Sequence, residues 1–590
     1  MARNPEGQLR QSQVITTYGP GALVDLPKHA AIMGGLDTWP NNLDEIVEPR
    51  MTQALSQLTG IPAPRLYAPP PAPNEPWAPA RGIGAWRFPE WFVVQETDGN
   101  EKERSRRLVH RKALERGRFE KLEVVPTRFV RACPRGHVDD LDWAGFVHGP
   151  DDNCRRQLWL DERGTTGDLS ELAVRCECGK RRSLHEATEL DQNPLGTCSG
   201  ARPWLGAHTE EGCNLPSRLL IRTATNAYFP QAFGLLSLPD RSGTVETAVG
   251  ALWDTLQVVD SAESLAVIKR LPQVEAGLDG FSDEEVLQAI AAMKSGTAGG
   301  RNVKDVELDA LLGAPEGFGD DMPINPDFHA RRLPEKSWRH SSLSDGIAAV
   351  IQLHRLKEVL ALIGFTRLEA AMRDIHGEYD TDVERADIAL EPRWFPAVEN
   401  RGEGVFLQLR SEAVRQWARK PAVRKRRDEL FAGHQAWIES RKIQHAFPGA
   451  EYILLHTLAH LLIQSLAMRC GYPATSIRER IYVEEGGFGL LLYTGSPDAE
   501  GTLGGLVQQG RHIEDHLADA LRMGQLCSND PICAQHEPGE SLEHRWLHGA
   551  ACHGCALIAE PSCEMRNDYL DRALVVPVLG TEDAAFFPPL

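Results

Sequence analysis

Along the N-terminal half, apolar positions fall in short runs bounded by Gly and Pro, the pattern of strands and turns. Residues 11–26 begin with a polar lead and a β-branched stretch, then break at Gly19-Pro20-Gly21. This predicts a strand-turn-strand or a loop whose backbone approaches another segment closely. Eight prolines between Pro62 and Pro79 predict a polyproline-prone connector over 61–80. An aromatic strand follows from Trp86, and residues 215–240 read as β-rich, interrupted by prolines. The pattern then turns helical: Ser282 and Glu285 form a capping box ahead of Val286, Leu287, Ile290 and Met293. The acidic stretch 305–321 reads as a surface excursion. Ile351, Leu353, Leu356, Val359, Leu360 and Ile363 predict a helix ending at Gly364. Residues 393–407 read as loop then strand, and residues 452–466 as a helix apolar nearly all round, hence buried. Glycine-rich residues 484–493 lead into a strand and residues 501–507 into a helix.

The resulting expectation is an α+β multidomain chain. Its β-rich N-terminal half carries a zinc-ribbon-like insertion, its middle is mostly helical, and its α/β C-terminal domain holds a four-cysteine zinc site. The expected divisions are an N-terminal segment 1–60, the connector 61–80, a β-rich domain 81–240, a helical and loop insertion 241–340, and a C-terminal domain 341–590.

With 590 residues, more than one core is required. Hydrophobic content of 42% and charged content of 25% are those of a globular protein. No uninterrupted apolar run approaches the roughly 18–20 residues of a membrane span. The polar start Met1-Ala-Arg-Asn-Pro-Glu-Gly, without an apolar core, predicts a cytoplasmic protein. A net charge of −19 repels polyanions over most of the surface, so contact with nucleic acid must be local or supplied through a partner. Two basic runs stand out against this background. The first, Lys102 to Arg118, suits a solvated helix face, with binding of phosphate or an acidic partner as the alternative; the second, Arg415, Arg419, Lys420, Arg424, Lys425, Arg426 and Arg427 around Trp417, is the better candidate for phosphate contact with base stacking.

Twelve cysteines gathered in clusters favour metal over disulfides. Cys527, Cys533, Cys552, Cys555 and Cys563 lie in a loop-rich segment, and the C-x-x-C knuckle Cys552-His-Gly-Cys555 lets two thiolates reach one Zn2+. An earlier group contains Cys133, His137, Cys154, Cys176, Cys178, Cys198 and Cys213. Cys176, Cys178, Cys198 and Cys213 are its first-choice ligand set, with Cys133, His137 and Cys154 forming or completing another. Two zinc ions per chain are therefore expected. His456 and His460 share a helix face, but Thr457 stands where an H-E-x-x-H protease needs its glutamate, so core histidines are expected there. No G-x-x-x-x-G-K-[ST] phosphate loop occurs anywhere in the chain.

His456-Thr-Leu-Ala-His460, Glu485-Gly-Gly-Phe-Gly489 and the cysteine cluster ending at Cys563 resemble the zinc-binding domain of MrfA-type DNA-repair helicases. Residues 12–22, Asn226-Ala-Tyr-Phe-Pro230, residues 356–367 and Gly402-Glu-Gly-Val-Phe406 extend a likeness to the DrmB family, core subunits of the DISARM anti-phage defence system. The resemblance implies a four-cysteine metal site on Cys552, Cys555, Cys563 and one of Cys527 or Cys533. It also implies a non-catalytic subunit that pairs with a DrmA-like helicase and meets foreign DNA mainly through that complex. A metal-dependent nuclease or hydrolase built on His456 and His460, and a pure assembly scaffold without DNA contact, are the alternative functions.

Overall fold

In this computed structural model, the described residues are 7–589 except 27–28, 72–81, 97–102, 150–151, 165, 207–208, 239–244, 246–247, 250–251, 295–301, 324, 378, 380–383, 497–504 and 540–544. Pro73, Pro76, Pro79 and Lys102 therefore lie outside the described residues. The chain divides into two units, one built from residues 1–234, 359–372 and 379–399, the other from 235–358, 373–378 and 400–590.

The first unit centres on a six-stranded antiparallel sheet. Its strand order is Arg181–Ser183, Leu172–Cys176, Leu158–Arg163, Glu103–His110, Trp91–Val94 and Val124–Pro126. Alternation sends Leu158, Leu160, Leu172, Val174 and Cys176 to one face, where they pack with Trp143, Phe146 and Leu184. From Glu103 to His110 the first basic run is thus a strand, not a helix, and carboxylates face several of the run's cations: Arg106 pairs with Glu162, Arg107 with Glu96 at 2.5 Å, and Arg111, in the turn that follows, with Glu90 at 2.6 Å. A smaller sheet places Phe129–Ala132 between Val138–Asp139 and Arg218–Ile221.

Residues 11–16 form a short helix, so the β-branched lead is not a strand. The close approach expected at Gly19-Pro20-Gly21 is present. A Cβ at Gly19 would lie 2.5 Å from both Leu362 and the Tyr228 hydroxyl, and Gly21 adopts φ +84° against the Phe365 ring. The fully buried Arg367 closes this corner by donating to the carbonyls of Gly21, Gly136 and Ala227.

In the second unit the hairpin Ile477–Glu484/Gly487–Ser496 pairs with residues 401–409, while Phe328–Arg332 pairs with residues 351–356. The predicted helix after Ser344 is instead part of a strand, Ile347–Thr366. Nearly every side chain in it is buried, so both faces carry core residues and the two-residue period that marks a half-exposed strand is erased. Residues 393–409 likewise form one long strand, Trp394–Leu409. The acidic stretch divides: Val303–Leu312 is a helix whose buried Glu307 holds Arg480 at 2.6 Å and Tyr482 Oη at 3.0 Å, whereas residues 315–321 are largely exposed, as expected of a surface excursion.

The capping box at Ser282 and Glu285 forms as expected, and short helices from Trp253 to Lys294 share their own apolar cluster. The helix Gly449–Cys470 packs on the hairpin and on the helix Ile513–Gln525. It is long and apolar enough to span a bilayer, which the expectation drawn from apolar runs missed, but most of it is buried inside the fold.

Candidate metal centres

The structure gathers eleven of the twelve cysteines into four clusters, each offering four ligand atoms within 4.8 Å of one another. The first lies on the hairpin joining Phe129–Ala132 to Val138–Asp139. That turn, Cys133-Pro-Arg-Gly-His137, needs the left-handed Gly136 (φ +87°) to bring Cys133 Sγ within 3.3 Å of His137 Nδ1. Cys198 and Cys213 complete it, with Cys198 Sγ 3.6 Å from the same nitrogen. The Cys133 thiol, hydrogen bonded to Cys198, holds the Cys198 sulfur far below an ordinary thiol. Glu211 orients the ring from the other side, 2.7 Å from His137 Nε2, the carboxylate-histidine support common beside bound metals.

The second cluster is His148, Cys154, Cys176 and Cys178. Cys176 ends the strand Leu172–Cys176, and Gly179 at φ +98° turns the chain back so that Cys178 stands beside it. Cys154 Sγ is 3.7 Å from Cys176 Sγ. Burial pushes the Cys176 thiol up to about 11, while the Lys180 backbone N–H pulls the exposed Cys178 down. His148 ends the helix Trp143–His148; its side chain is 1% exposed, Nδ1 stands 3.4 Å from Asp152 Oδ2, and neither ring nitrogen makes a well-formed hydrogen bond among the described residues. A buried imidazole in that state is short of a partner that a cation can supply.

The third cluster is Cys527, Cys533, Cys552 and Cys555. Its Sγ–Sγ separations are 3.4, 3.7 and 3.8 Å for the pairs 527–552, 552–555 and 533–555. A zinc–thiolate bond of about 2.3 Å in a tetrahedron places sulfurs about 3.8 Å apart, whereas a disulfide needs about 2.05 Å. The donor set fits zinc on those grounds. Backbone N–H groups of Asn529 and Gly554 donate to the sulfurs of Cys527 and Cys552, and the buried Arg572 sets positive charge beside Cys533 and Cys555. The fourth cluster joins His456 and His460 to Glu479 and Cys563.

These positions revise the expected ligand sets. Cys176 and Cys178 do not meet Cys198 and Cys213; the earlier group makes two clusters, and its residues divide between them differently from the expected sets, Cys133 and His137 joining Cys198 and Cys213 while Cys154 joins Cys176 and Cys178. Cys563 is not the fourth thiol of the C-terminal quartet, which takes both Cys527 and Cys533. His148 and Glu479 carried no spacing signal, since each reaches its cluster only through tertiary packing.

The second basic run is only partly a surface. Arg415, Arg419, Lys420, Arg424, Lys425 and Arg427 are exposed on the helices Ser411–Ala418 and Pro421–Arg441. Arg426 is buried and bound to Asp571 at 2.6 Å, an i+2 neighbour of Arg424 being on the opposite helix face. Trp417 is buried too, its indole N–H donating to the Ala584 carbonyl at 2.8 Å, so it is no stacking platform.

Residues 10–229 match a family model described as a domain of unknown function, DUF8724. Residues 458–556 match the MrfA Zn-binding domain, a range that includes all four cysteines of the third cluster but omits His456 and Cys563. The chain is 32% identical over 482 residues to the DISARM protein DrmB of Bacillus paralicheniformis, an alignment covering 79% of this chain and 83% of the relative.

Proposed function

The chain belongs to the DrmB family, and from that premise we propose that it is a non-catalytic, zinc-stabilised subunit of a DISARM-type anti-phage defence system that partners a DrmA-like helicase and helps it hold foreign DNA. The observation that carries this reading is the closed third cluster. Four thiolates around one ion leave no position for water, so such a centre has no means of activating a nucleophile and acts by holding its loops together. The first two clusters, with three sulfurs and one imidazole each, are closed in the same sense.

When bound, zinc supplies folding free energy to these loops. The residues do the rest. The backbone N–H groups of Asn529 and Gly554 steady the sulfurs, Arg572 balances their charge, and Arg426 ties the quartet's lobe to the basic helix through Asp571, whose second oxygen accepts from the Ala550 and Ala573 N–H groups at 3.0 Å. The exposed face carrying Arg415, Arg419, Lys420, Arg424, Lys425 and Arg427 is the local cation density that a chain of net charge −19 needs to meet a phosphate backbone.

A second reading, an assembly scaffold that never touches DNA, draws support from that same net charge. Salt separates the two. Co-expressed with the helicase of its own system, the chain should elute as a heterodimer whose DNA affinity falls steeply with ionic strength and falls further when the exposed arginines are removed. An elution without helicase sinks the partnership. DNA affinity that ignores those arginines favours the scaffold.

A further inference from the structure

The fourth cluster is built differently from the other three, and the zinc-binding-domain match spans only half of its residues. His456 and His460 stand one turn apart on the helix Gly449–Cys470, Glu479 comes from the strand Ile477–Glu484, and Cys563 from the C-terminal loop. Glu479 Oε1 lies 3.0 Å from His456 Nε2 and 3.3 Å from His460 Nε2, and Cys563 Sγ lies 3.1 Å from His456 Nε2. Both imidazoles and the carboxylate are buried.

The far side of each ring fixes what the near side presents. His456 Nδ1 lies 3.2 Å from the Tyr569 carbonyl oxygen and His460 Nδ1 lies 2.8 Å from that of Ala556. A carbonyl only accepts, so each Nδ1 carries a proton, and in neutral imidazole each Nε2 is then a bare lone pair. Two lone pairs face one carboxylate oxygen, and one of them also faces a sulfur: acceptors confront acceptors. Added protons relieve it only in part or at a cost: imidazolium at one or both rings is opposed by desolvation, and a proton on Glu479 or on the Cys563 thiol serves one Nε2 each while the His456 contact with the other group stays unmet. A cation shared by all four groups relieves every contact at once.

Two further observations favour the cation. Glu479 Oε2 is buried with no hydrogen-bond partner among the described residues. Cys563 Sγ accepts from the backbone N–H groups of Asn567 at 3.1 Å and Met565 at 3.4 Å, a setting that suits a thiolate.

We propose that His456, His460, Glu479 and Cys563 bind a zinc ion of their own, in a closed tetrahedral site of nitrogen, oxygen and sulfur ligands. Ligands about 2.0 Å from a tetrahedral zinc sit about 3.3 Å apart, close to the two His–Glu separations. The thiolate excludes hard cations such as Mg2+, and paired imidazoles suit zinc. The carbonyls of Tyr569 and Ala556 are the outer partners that hold the rings in register. The ion joins a helix, a strand and the loop that follows Cys555, so it fastens the thiolate quartet's own loop to the core. With its four positions filled, the His456/His460 pair has no place for a hydrolytic water.

The test uses full-length protein. Zinc is counted by mass spectrometry in wild type, Glu479→Gln and Cys563→Ser, and histidine ring nitrogens are read by 15N NMR in wild type. The expected results are the loss of one zinc equivalent in either variant, and signals from His456 and His460 with Nδ1 protonated and Nε2 metal-bound. Folded variants that keep the full zinc content overturn the proposal. So do wild-type rings whose Nε2 is protonated or not metal-bound, a readout that stands even if the variants fail to fold. Loss of all zinc from wild type would instead strike the structural-zinc reading of the thiolate clusters.

Discussion

The two C-terminal clusters are close in sequence and opposite in construction. Cys527, Cys533, Cys552 and Cys555 all lie in turns and irregular segments beyond the helix Ile513–Gln525. His456, His460 and Glu479 instead stand on a 22-residue helix and an eight-residue strand whose apolar side chains are buried. Ligands carried by loops have no geometry until an ion imposes it, so the ion's binding energy is folding energy. Ligands carried by packed elements are positioned beforehand by the hydrophobic core, and an ion there tightens a structure that exists already. The same four-ligand count therefore predicts different consequences on removal.

The sharpest way to break this contrast is to remove a thiolate from the quartet. Cys552→Ala or Cys555→Ala should forfeit stabilisation on the order of 10 kcal/mol, as in small zinc peptides. Hydrogen exchange should report loss of protection from about Leu526 onward. If that region stays protected without metal, loop-borne ligands were not what needed the ion.

Next comes the ion pair that fastens the basic helix to the quartet's lobe. Arg426→Ala leaves Asp571 buried and unpaired, and should cost about 3–5 kcal/mol, read as a lower Tm with zinc content kept. A smaller loss is expected at the mixed cluster. Cys563→Ser should lower stability by about 1–3 kcal/mol while the helix Gly449–Cys470 keeps its exchange protection, because the core holds it. A collapse equal to that of Cys552→Ala would erase the distinction between the two clusters.

In the N-terminal unit, His148→Ala should remove one zinc equivalent without disturbing Cys133, Cys198 and Cys213, since the structure assigns these residues to separate clusters. Loss of two equivalents would mean that they are one site. The smallest structural effect belongs to the exposed cations. Arg424→Ala with Lys425→Ala and Arg427→Ala should leave Tm and zinc unchanged while lowering the salt slope of DNA binding by about three.

What the sequence disclosed follows the same division. The quartet was legible because Cys552-His-Gly-Cys555 sets two ligands by spacing alone, and short loops keep Cys527 and Cys533 near. Its membership was not, because Cys563 is equally near in sequence and only the fold carries it to His456. The earlier cysteines were recognised as metal-type residues, but their grouping was hidden. Cys198 joins Cys133 across 64 intervening positions through the pairing of Phe129–Ala132 with Arg218–Ile221, a register no local motif encodes.

Helix and strand were confused at Ile347–Thr366 because burial on both faces leaves no period to read. Charge misled in a similar way. Arg426 sits among exposed cations in sequence yet points inward, and the acidic helix Val303–Leu312 hides Glu307 in the core. By contrast, the Ser282 capping box and the apolar helix after Tyr452 were legible because their signals are local.

The proposed role of this DrmB-family chain is to serve a helicase through a zinc-held fold, with no chemistry at its metal centres. The most direct measurement is native mass spectrometry of the chain co-expressed with the helicase of its own system, comparing wild type with Cys552→Ala. The account predicts a zinc-loaded one-to-one complex for wild type and its loss, together with the metal, in the variant. A variant that lacks the metal yet still forms the complex would contradict it.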